Sequence, residues 1–93
     1  MSVTDITHDA SRQRYSLIVD STEAYLTYER PHPGQRRITH TIVPDAVGGR
    51  GLGQRLVAQA MADIIAAGEA VTSSCWFASA LIDKTPEWAA RKA

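Results

Sequence analysis

Glycines are concentrated in one short segment of this sequence. Four of the six glycines, Gly48, Gly49, Gly51 and Gly53, fall within six residues, and Arg50 lies among them. The first turn of a helix carries four unpaired N–H groups at the positive end of the helix dipole, and a helix is predicted to follow directly. Glycine also lets a pyrophosphate approach the backbone closely. The segment predicts a phosphate-binding turn, and a flexible linker before the helix is the alternative.

Two common nucleotide motifs fit this segment poorly. A P-loop requires a lysine after its last glycine, and none follows here. The dinucleotide pattern G-x-G-x-x-G fails as well, because its sixth position is Gln54 when counted from Gly49 and Leu56 when counted from Gly51. No acidic residue ends the next predicted strand, which closes on Ser73-Ser74. Both nucleotide interpretations are therefore weak.

Cys75 and His40 are the candidate catalytic side chains. Cys75, the only cysteine, follows a predicted strand and is either a nucleophile or proton shuttle, or a small buried apolar residue. His40 is predicted to share an apolar strand face with Ile38 and Ile42, and is either a general base or a hydrogen-bonded core residue. Neighbouring strands would bring the two together as a pair. A metal site is not predicted, because two further ligands at suitable spacing are not evident.

The glycine segment and the strand before it resemble the GNAT family of N-acetyltransferases. The acyl-CoA loop of that family reads [Gln/Arg]-x-x-Gly-x-[Gly/Ala] and follows a strand that ends in Val-x-Pro or a similar sequence. Gly51-Leu52-Gly53 matches the glycine half of the loop, and Ile42-Val43-Pro44 matches the strand end. The family's Gln/Arg position is occupied by Gly48, which leaves Arg50 as the side-chain cation.

Three further motifs are similar to those of a small single-domain GNAT-like group. They are His40-Thr41 before the loop, Cys75-Trp76-Phe77 after the next strand, and Pro86-Glu87-Trp88 near the end. The resemblance covers about residues 14–89. The loop motif is moderately specific by itself, and the four motifs at matching spacing are strongly specific together.

The resemblance implies an N-acetyltransferase that moves an acetyl group from acetyl-CoA to an unidentified amine, which a protein could carry. A CoA-binding or sensor module without catalysis is the alternative, because the family's usual tyrosine acid corresponds to Leu81 here. The resemblance also implies that the pantetheine arm lies between the strand at 38–43 and the strand at 70–75. The implied catalytic residues are Cys75 and His40. The implied cofactor-binding residues are Ile42, Val43, Gly48, Gly49, Arg50, Gly51, Leu52, Gly53 and Gln54.

The elements that would position these residues follow from hydrophobic periodicity. Strands are predicted at 15–19, 24–29, 36–43 and 70–75, a loop at 31–34, an amphipathic helix from Leu52 to a cap at Gly68, a short helix at 77–84 and a helical turn from Pro86. The predicted fold is α/β (α+β), a minimal GNAT-like mixed sheet. Antiparallel N-terminal strands come first and a β-α-β-α unit follows, and no helices separate the first two strands.

Length and charge set the outer limits of function. The 93 residues predict one domain at 13–93 after a flexible segment at 1–12. Ten acidic and ten basic residues argue against nucleic acid as a partner. No apolar run reaches the roughly 18 residues of a membrane span, and the N-terminus lacks a signal peptide, so we expect a cytoplasmic protein. The sequence does not decide whether the chain forms a homodimer, in which the partner would close the acceptor side of the cleft.

Overall fold

The computed structural model describes residues 5–93, which form one five-stranded sheet with helices packed against it. The strands lie in the order of the chain, the first four antiparallel and the last pair parallel. This confirms the predicted mixed sheet. The strands are β1 Thr7–Asp9, β2 Arg14–Val19, β3 Thr22–His32, β4 Gln35–Ile42 and β5 Ala70–Ser73.

The β2–β3 hairpin forms as its alternating pattern predicts. Tyr15, Leu17 and Val19 are buried along β2, and the residues between them face the other side of the sheet. Asp20 and Ser21 make the connection with φ values of 49° and 69°. Two successive residues with positive φ form a tight two-residue turn whose twist matches that of the flanking strands. The two strands are thus joined directly, with no helix between them.

The predicted loop at 31–34 is wrong in its first half. β3 continues to His32, which pairs with Gln35, and only Pro33 and Gly34 form the turn. Pro31 has no N–H to donate to a neighbouring strand. The strand tolerates it because the register shifts between Glu29 and His32, so no regular ladder of hydrogen bonds is interrupted there. Gly34 takes a φ of 77°, which suits a tight turn.

A strand also occurs in the segment predicted to be flexible and irregular. β1 pairs with β2 over three residues, and the His8 ring stacks on Tyr15 with centroids 4.1 Å apart. The Nε2 atom of His8 lies 2.7 Å from the Tyr28 hydroxyl. Three residues are too few to show a period of two, so the sequence gives no signal for this strand, which backbone pairing and the contacts of His8 hold on β2.

Helix α1, Leu52–Ala66, covers the core face of the sheet. One stripe of its side chains is buried: Leu52, Gly53, Leu56, Val57, Ala60, Met61 and Ile64. Gly68 ends the helix with a φ of 70°. The N–H of Gly68 donates to Ile65 O and that of Glu69 to Ile64 O, both at 3.0 Å. These paired bonds form a Schellman cap and confirm the predicted helix end.

The C-terminal part of the chain closes the parallel edge of the sheet. Helix α2, Trp76–Lys84, follows β5, and α3, Pro86–Ala89, begins at the predicted proline. The chain then runs beside β5, where Val71 N donates to Arg91 O at 2.8 Å and Ala93 N donates to Val71 O at 3.0 Å.

Within residues 5–93, no helix combines the length and apolar character needed to cross a bilayer.

A β-bulge divides β4 into two halves of opposite phase. Tyr28 pairs with Ile38 but Thr27 pairs with His40, so Thr39 has no residue opposite it. An extra residue in one strand inverts the alternation of side chains beyond it. Ile38 is therefore buried on the core face, whereas His40 lies on the opposite, exposed face. The prediction that His40 shares the apolar face of Ile38 is wrong for this reason.

Candidate functional site

A cleft opens where the two parallel strands separate. β4 and β5 stay paired from Gln35 and Ala70 as far as Ile38 and Ser73. A backbone hydrogen bond of 3.0 Å from Ser74 N to Ile38 O follows the last strand pair. β5 ends there and β4 continues to Ile42. The edge of β4 beyond Ile38 thus faces a gap instead of a neighbouring strand, as the predicted splay requires.

Two adjoining cavities occupy this region and share two wall residues, Val43 and Phe77. The first, of about 240 Å³, lies at the N-terminus of α1. The second, of about 230 Å³, reaches Cys75. The first is lined by Val43, Gly48, Gly49, Gly51, Leu52, Gly53, Gln54 and Phe77. The second is lined by Thr41, Val43, Cys75, Trp76 and Phe77. Together they form a groove, called the acyl groove below, that joins the glycine turn to the cysteine.

The start of α1 suits an anionic group. The first bond inside the helix runs from Arg55 N to Gly51 O at 3.1 Å, so the amides of Leu52, Gly53 and Gln54 precede the ladder. The first turn contains no acidic residue. Gly51 caps the helix at a φ of 71°, and no atom lies within 4 Å of a Cβ added at Gly49, whose φ is 77°. Free amides, a positive dipole end and an open approach are what a pyrophosphate needs.

The glycines of the turn serve different purposes. A Cβ on Gly53 would lie 2.8 Å from Cε2 and 2.9 Å from Cζ of Phe77, so this glycine allows α1 and α2 to approach each other. A Cβ on Gly48 would meet nothing closer than Asp45 O, at an ordinary 3.5 Å. Sequence alone could not separate these roles, because close helix contact and close ligand approach both select glycine.

Seven of the nine predicted cofactor-binding residues line the first cavity, and the other two do not. Ile42 lies on the exposed face of the sheet, with 40% of its surface accessible, because the bulge sets its phase. Arg50 Nη1 lies 3.5 Å from Asp20 Oδ2 in the β2–β3 turn. The cation of the glycine turn is thus engaged by a carboxylate from another part of the chain.

Cys75 is held at the end of the acyl groove by its backbone. Its amide donates to Ser73 Oγ at 3.2 Å, and its carbonyl accepts from Ser73 Oγ and from Ser79 N, both at 2.9 Å. Cys75 is the N-cap of α2 rather than the end of a strand. Its half-buried thiol lies 3.7 Å from Thr41 Oγ1 on the core face of β4. The thiol therefore has a fixed position beside the groove.

His40 and Cys75 do not come together as a pair. Thr41 pairs with Leu26, which is fully buried on the core face, whereas His40 pairs with Thr27 on the other face. Within residues 5–93, no hydrogen bond joins His40 to Cys75. The bulge at Thr39 is the physical reason for this separation.

No tyrosine lines either cavity of the acyl groove. Leu81, at the position of the family's tyrosine, packs against the core. Tyr15 lies in the core at the far end of the sheet, where it donates to Asp63 Oδ2 at 2.7 Å and accepts from Arg36 Nη1 at 2.9 Å. Burial, and then the bond to Asp63, raise the pKa of Tyr15 far above its usual range. Tyr15 is therefore a structural group.

Trp76 is a site residue that sequence reasoning missed. A tryptophan is usually a core or interface anchor, yet 82% of the surface of Trp76 is exposed at the mouth of the groove. Its ring meets Phe77 edge-on, with centroids 6.1 Å apart. The sequence gives no signal for this exposure, since the residue type of a tryptophan in a short helix does not reveal whether its side chain faces the core or the solvent.

Within residues 5–93, no three His, Cys, Asp or Glu side chains are grouped so as to hold a metal ion.

Splayed parallel strands beside a helix N-terminus and a glycine turn define the GNAT class of fold. The family model of GCN5-related N-acetyl-transferases matches residues 14–91. The chain therefore belongs to the GCN5-related N-acetyl-transferase family, as the motifs predicted.

One curated protein and one solved structure are also similar to this chain. The chain is 28% identical over 83 residues to Protein NATD1 of Xenopus tropicalis, covering 87% of this chain and 76% of that protein. An NMR solution structure of a GCN5-like protein from Staphylococcus aureus superposes with a TM-score of 0.76 at 22% identity, over 96% of this chain and 87% of that one. At this identity the second likeness concerns the fold alone.

Proposed function

We propose that this protein is an acetyl-CoA-dependent N-acetyltransferase that acetylates an amine. The observation that carries the proposal is the acyl groove, which runs from the free amides of α1 to the thiol of Cys75. The amide end suits an anion and the thiol end suits thioester chemistry. One ligand that carries both a phosphate and an acyl thioester would span the two ends. Membership of the family supports the same activity.

In the proposed complex, different parts of acetyl-CoA lie against different parts of the chain. The amides at 52–54 face the pyrophosphate, since they precede the first bond of the helix. The unpaired edge of β4 at Ile42 and Val43 supplies backbone donors and acceptors for the amide groups of the pantetheine arm, which then adds to the sheet as a short strand would. Ile42 contributes through its backbone, because its side chain lies on the outer face.

The proposed transfer uses few side chains. A neutral amine attacks the thioester carbonyl, the new C–N bond forms, and the C–S bond breaks. The proposed donor to the developing oxyanion is the N–H of Val43, a residue that lines both cavities of the groove. In one route Cys75 gives its proton to the departing CoA thiolate and takes up the proton that the amine nitrogen loses. In the other route Cys75 attacks the thioester first, CoA leaves as the free thiol, and the acetyl-cysteine then passes its acetyl group to the amine and regains a proton from it. Its position beside Thr41 serves both roles.

Calorimetric titration with acetyl-CoA tests the donor half of the proposal. Gly51→Glu should abolish binding, because it places a carboxylate at the anion site. Gly34→Glu is the matched control, since Gly34 has a similar φ of 77° against 71° and lies in the β3–β4 turn. Both variants carry a similar backbone strain of about 1–2 kcal/mol. Absence of binding in the unmodified protein, or equal loss in both variants, would contradict the proposed site.

A CoA-binding module without catalysis is the second candidate. It is favoured by the lack of tyrosine in the groove and by the separation of His40 from Cys75. Turnover with a panel of amines decides between the two candidates. Loss of turnover in Cys75→Ala with intact binding of acetyl-CoA would establish a chemical role for the thiol. Saturable binding with no turnover for any amine would establish the module instead.

A further inference from the structure

The Cys75 end of the acyl groove has an uncharged wall. Its lining residues are Thr41, Val43, Cys75, Trp76 and Phe77, which include no carboxylate, no cation and no histidine. The adjoining cavity is lined by glycines and by neutral side chains only. An acceptor amine must reach the thioester of bound acetyl-CoA at this end, where the surrounding side chains offer hydroxyl, thiol and apolar groups.

This wall restricts the charge of the acceptor. An ammonium group that leaves water without a carboxylate partner loses its solvation and gains no ion pair in return. Polyamines and other polycationic acceptors are therefore disfavoured. The lining also lacks a histidine or carboxylate that could remove a proton, because His40 lies on the other face of the sheet. The amine must arrive already neutral.

Few amines meet that condition at neutral pH. An alkyl amine with a pKa of about 10.4, such as a lysine side chain, is only about 0.04% neutral at pH 7. An aromatic amine is different, because its lone pair is delocalised into the ring and it is essentially unprotonated at pH 7. The chemistry of the wall thus favours weakly basic amines.

Trp76 provides the matching surface for such an amine. It is 82% exposed at the mouth of the groove and one residue from the Cys75 thiol. Its edge-on contact with Phe77 leaves most of the indole accessible. Offset or edge-to-face packing with another ring is the interaction that an exposed indole offers.

We propose that the acceptor is a neutral aromatic amine that packs on Trp76 and directs its nitrogen into the groove beside Cys75. The inference rests on the proposed transferase function. The amine nitrogen forms a bond to the acetyl carbon, the C–S bond of the thioester breaks, and the proton lost by nitrogen ends on the CoA sulfur. The products are an N-aryl acetamide and free CoA, so atoms and electrons balance without a further reactant.

Three acceptors test the inference with acetyl-CoA as donor: aniline, benzylamine and spermidine. Aniline and benzylamine carry the same ring, and only benzylamine is an ammonium ion at pH 7. We expect kcat/KM for aniline to exceed that for benzylamine at least tenfold at pH 7, and spermidine to be inert. Because aniline is already neutral, its rate should also be flat from pH 6 to 9, while that of benzylamine should rise about tenfold per pH unit until its own titration.

Substitution of Trp76 separates packing from chemistry. Trp76→Ala should raise KM for aniline roughly five- to tenfold at nearly constant kcat, the size expected for loss of one aromatic contact. Trp76→Phe should restore most of that loss. The Kd of acetyl-CoA is measured in both variants, and the rise in KM for aniline should exceed any change in that Kd. An unchanged KM for aniline in Trp76→Ala would overturn the proposed role.

A binding measurement gives a readout that needs no turnover. The chain has two tryptophans, and Trp76→Phe assigns their indole N–H resonances. Titration with acetanilide, the product of aniline, should shift the Trp76 signal and leave that of Trp88 in place. Spermidine acetylated better than aniline would refute the acceptor class while the transferase stands. No turnover with any acceptor, together with intact binding of acetyl-CoA, would refute both proposals.

Discussion

The contact between Gly53 and the ring of Phe77 allows a quantitative test of how the groove is built. A methyl group at position 53 would come within 2.8 Å of the ring, so Gly53→Ala forces the ring or the start of α2 to move. Overpacking of this kind costs about 1–3 kcal/mol. Alanine inside a helix recovers about 1 kcal/mol relative to glycine. We expect a net loss of roughly 0–2 kcal/mol in the free energy of unfolding.

A double-mutant cycle with Phe77→Ala isolates the clash. Without the ring, Gly53→Ala should stabilise the protein by about 1 kcal/mol through helix propensity alone. The coupling between the two positions should therefore be about 1–3 kcal/mol, measured by urea denaturation of the four proteins. Gly48→Ala is the control, because its Cβ meets nothing closer than 3.5 Å and its φ of −67° suits alanine.

Phe77 also lines both cavities, so the ring has a second way to respond. If it swings into the groove, the cost appears as weaker binding of acetyl-CoA rather than as lower stability. Calorimetry on Gly53→Ala therefore accompanies the denaturation series. A variant that is about 1 kcal/mol more stable than the parent and binds acetyl-CoA unchanged would refute the close contact.

Three further predictions concern the charged groups. Asp20→Asn should tighten binding of acetyl-CoA about two- to fivefold and steepen the salt dependence of that binding, because the carboxylate 3.5 Å from Arg50 no longer offsets that cation. Calorimetry at two salt concentrations checks this, and weaker binding would contradict it. Tyr15→Phe should cost about 1–3 kcal/mol in urea denaturation, since the buried hydroxyl joins Arg36 to Asp63. The raised pKa of Tyr15 means that the unfolded chain releases this proton first, near pH 10, so stability should fall as pH rises above that point. The fall between pH 9 and 11 should be smaller in Tyr15→Phe, and an identical slope would contradict the assignment.

The elements with strong local signals could be predicted from sequence. The stripe of α1 and its glycine cap, the β2–β3 hairpin and the proline at the start of α3 all appear where expected. Each depends on contacts between near neighbours, and such contacts leave a period or a turn signature in the sequence.

Features set by partners distant in the chain could not be predicted. Arg36 is one of two adjacent arginines, a pattern typical of a solvated surface, but it is 3% exposed. Its Nη2 atom lies 2.7 Å from Glu69 Oε1, a contact that only the folded β4–β5 edge creates. The outward direction of Trp76 and the partner of Arg50 are likewise decided by other segments. Family resemblance located the glycine turn, whereas the separation of His40 from Cys75 needed the strand register.

The bulge at Thr39 sets which face of the sheet the end of β4 presents. The first half of the strand directs Arg36 and Ile38 to the core, and its second half directs Thr41 to the groove only because one extra residue stands between them. Removing Thr39 would leave His40 opposite Thr27 and Thr41 opposite Leu26 in a regular ladder. A one-residue deletion here would thus keep both faces of the strand end and remove only the local bend and added twist of the bulge. Relatives with one residue fewer between Ile38 and the glycine turn can accordingly build the same groove from an unbulged strand.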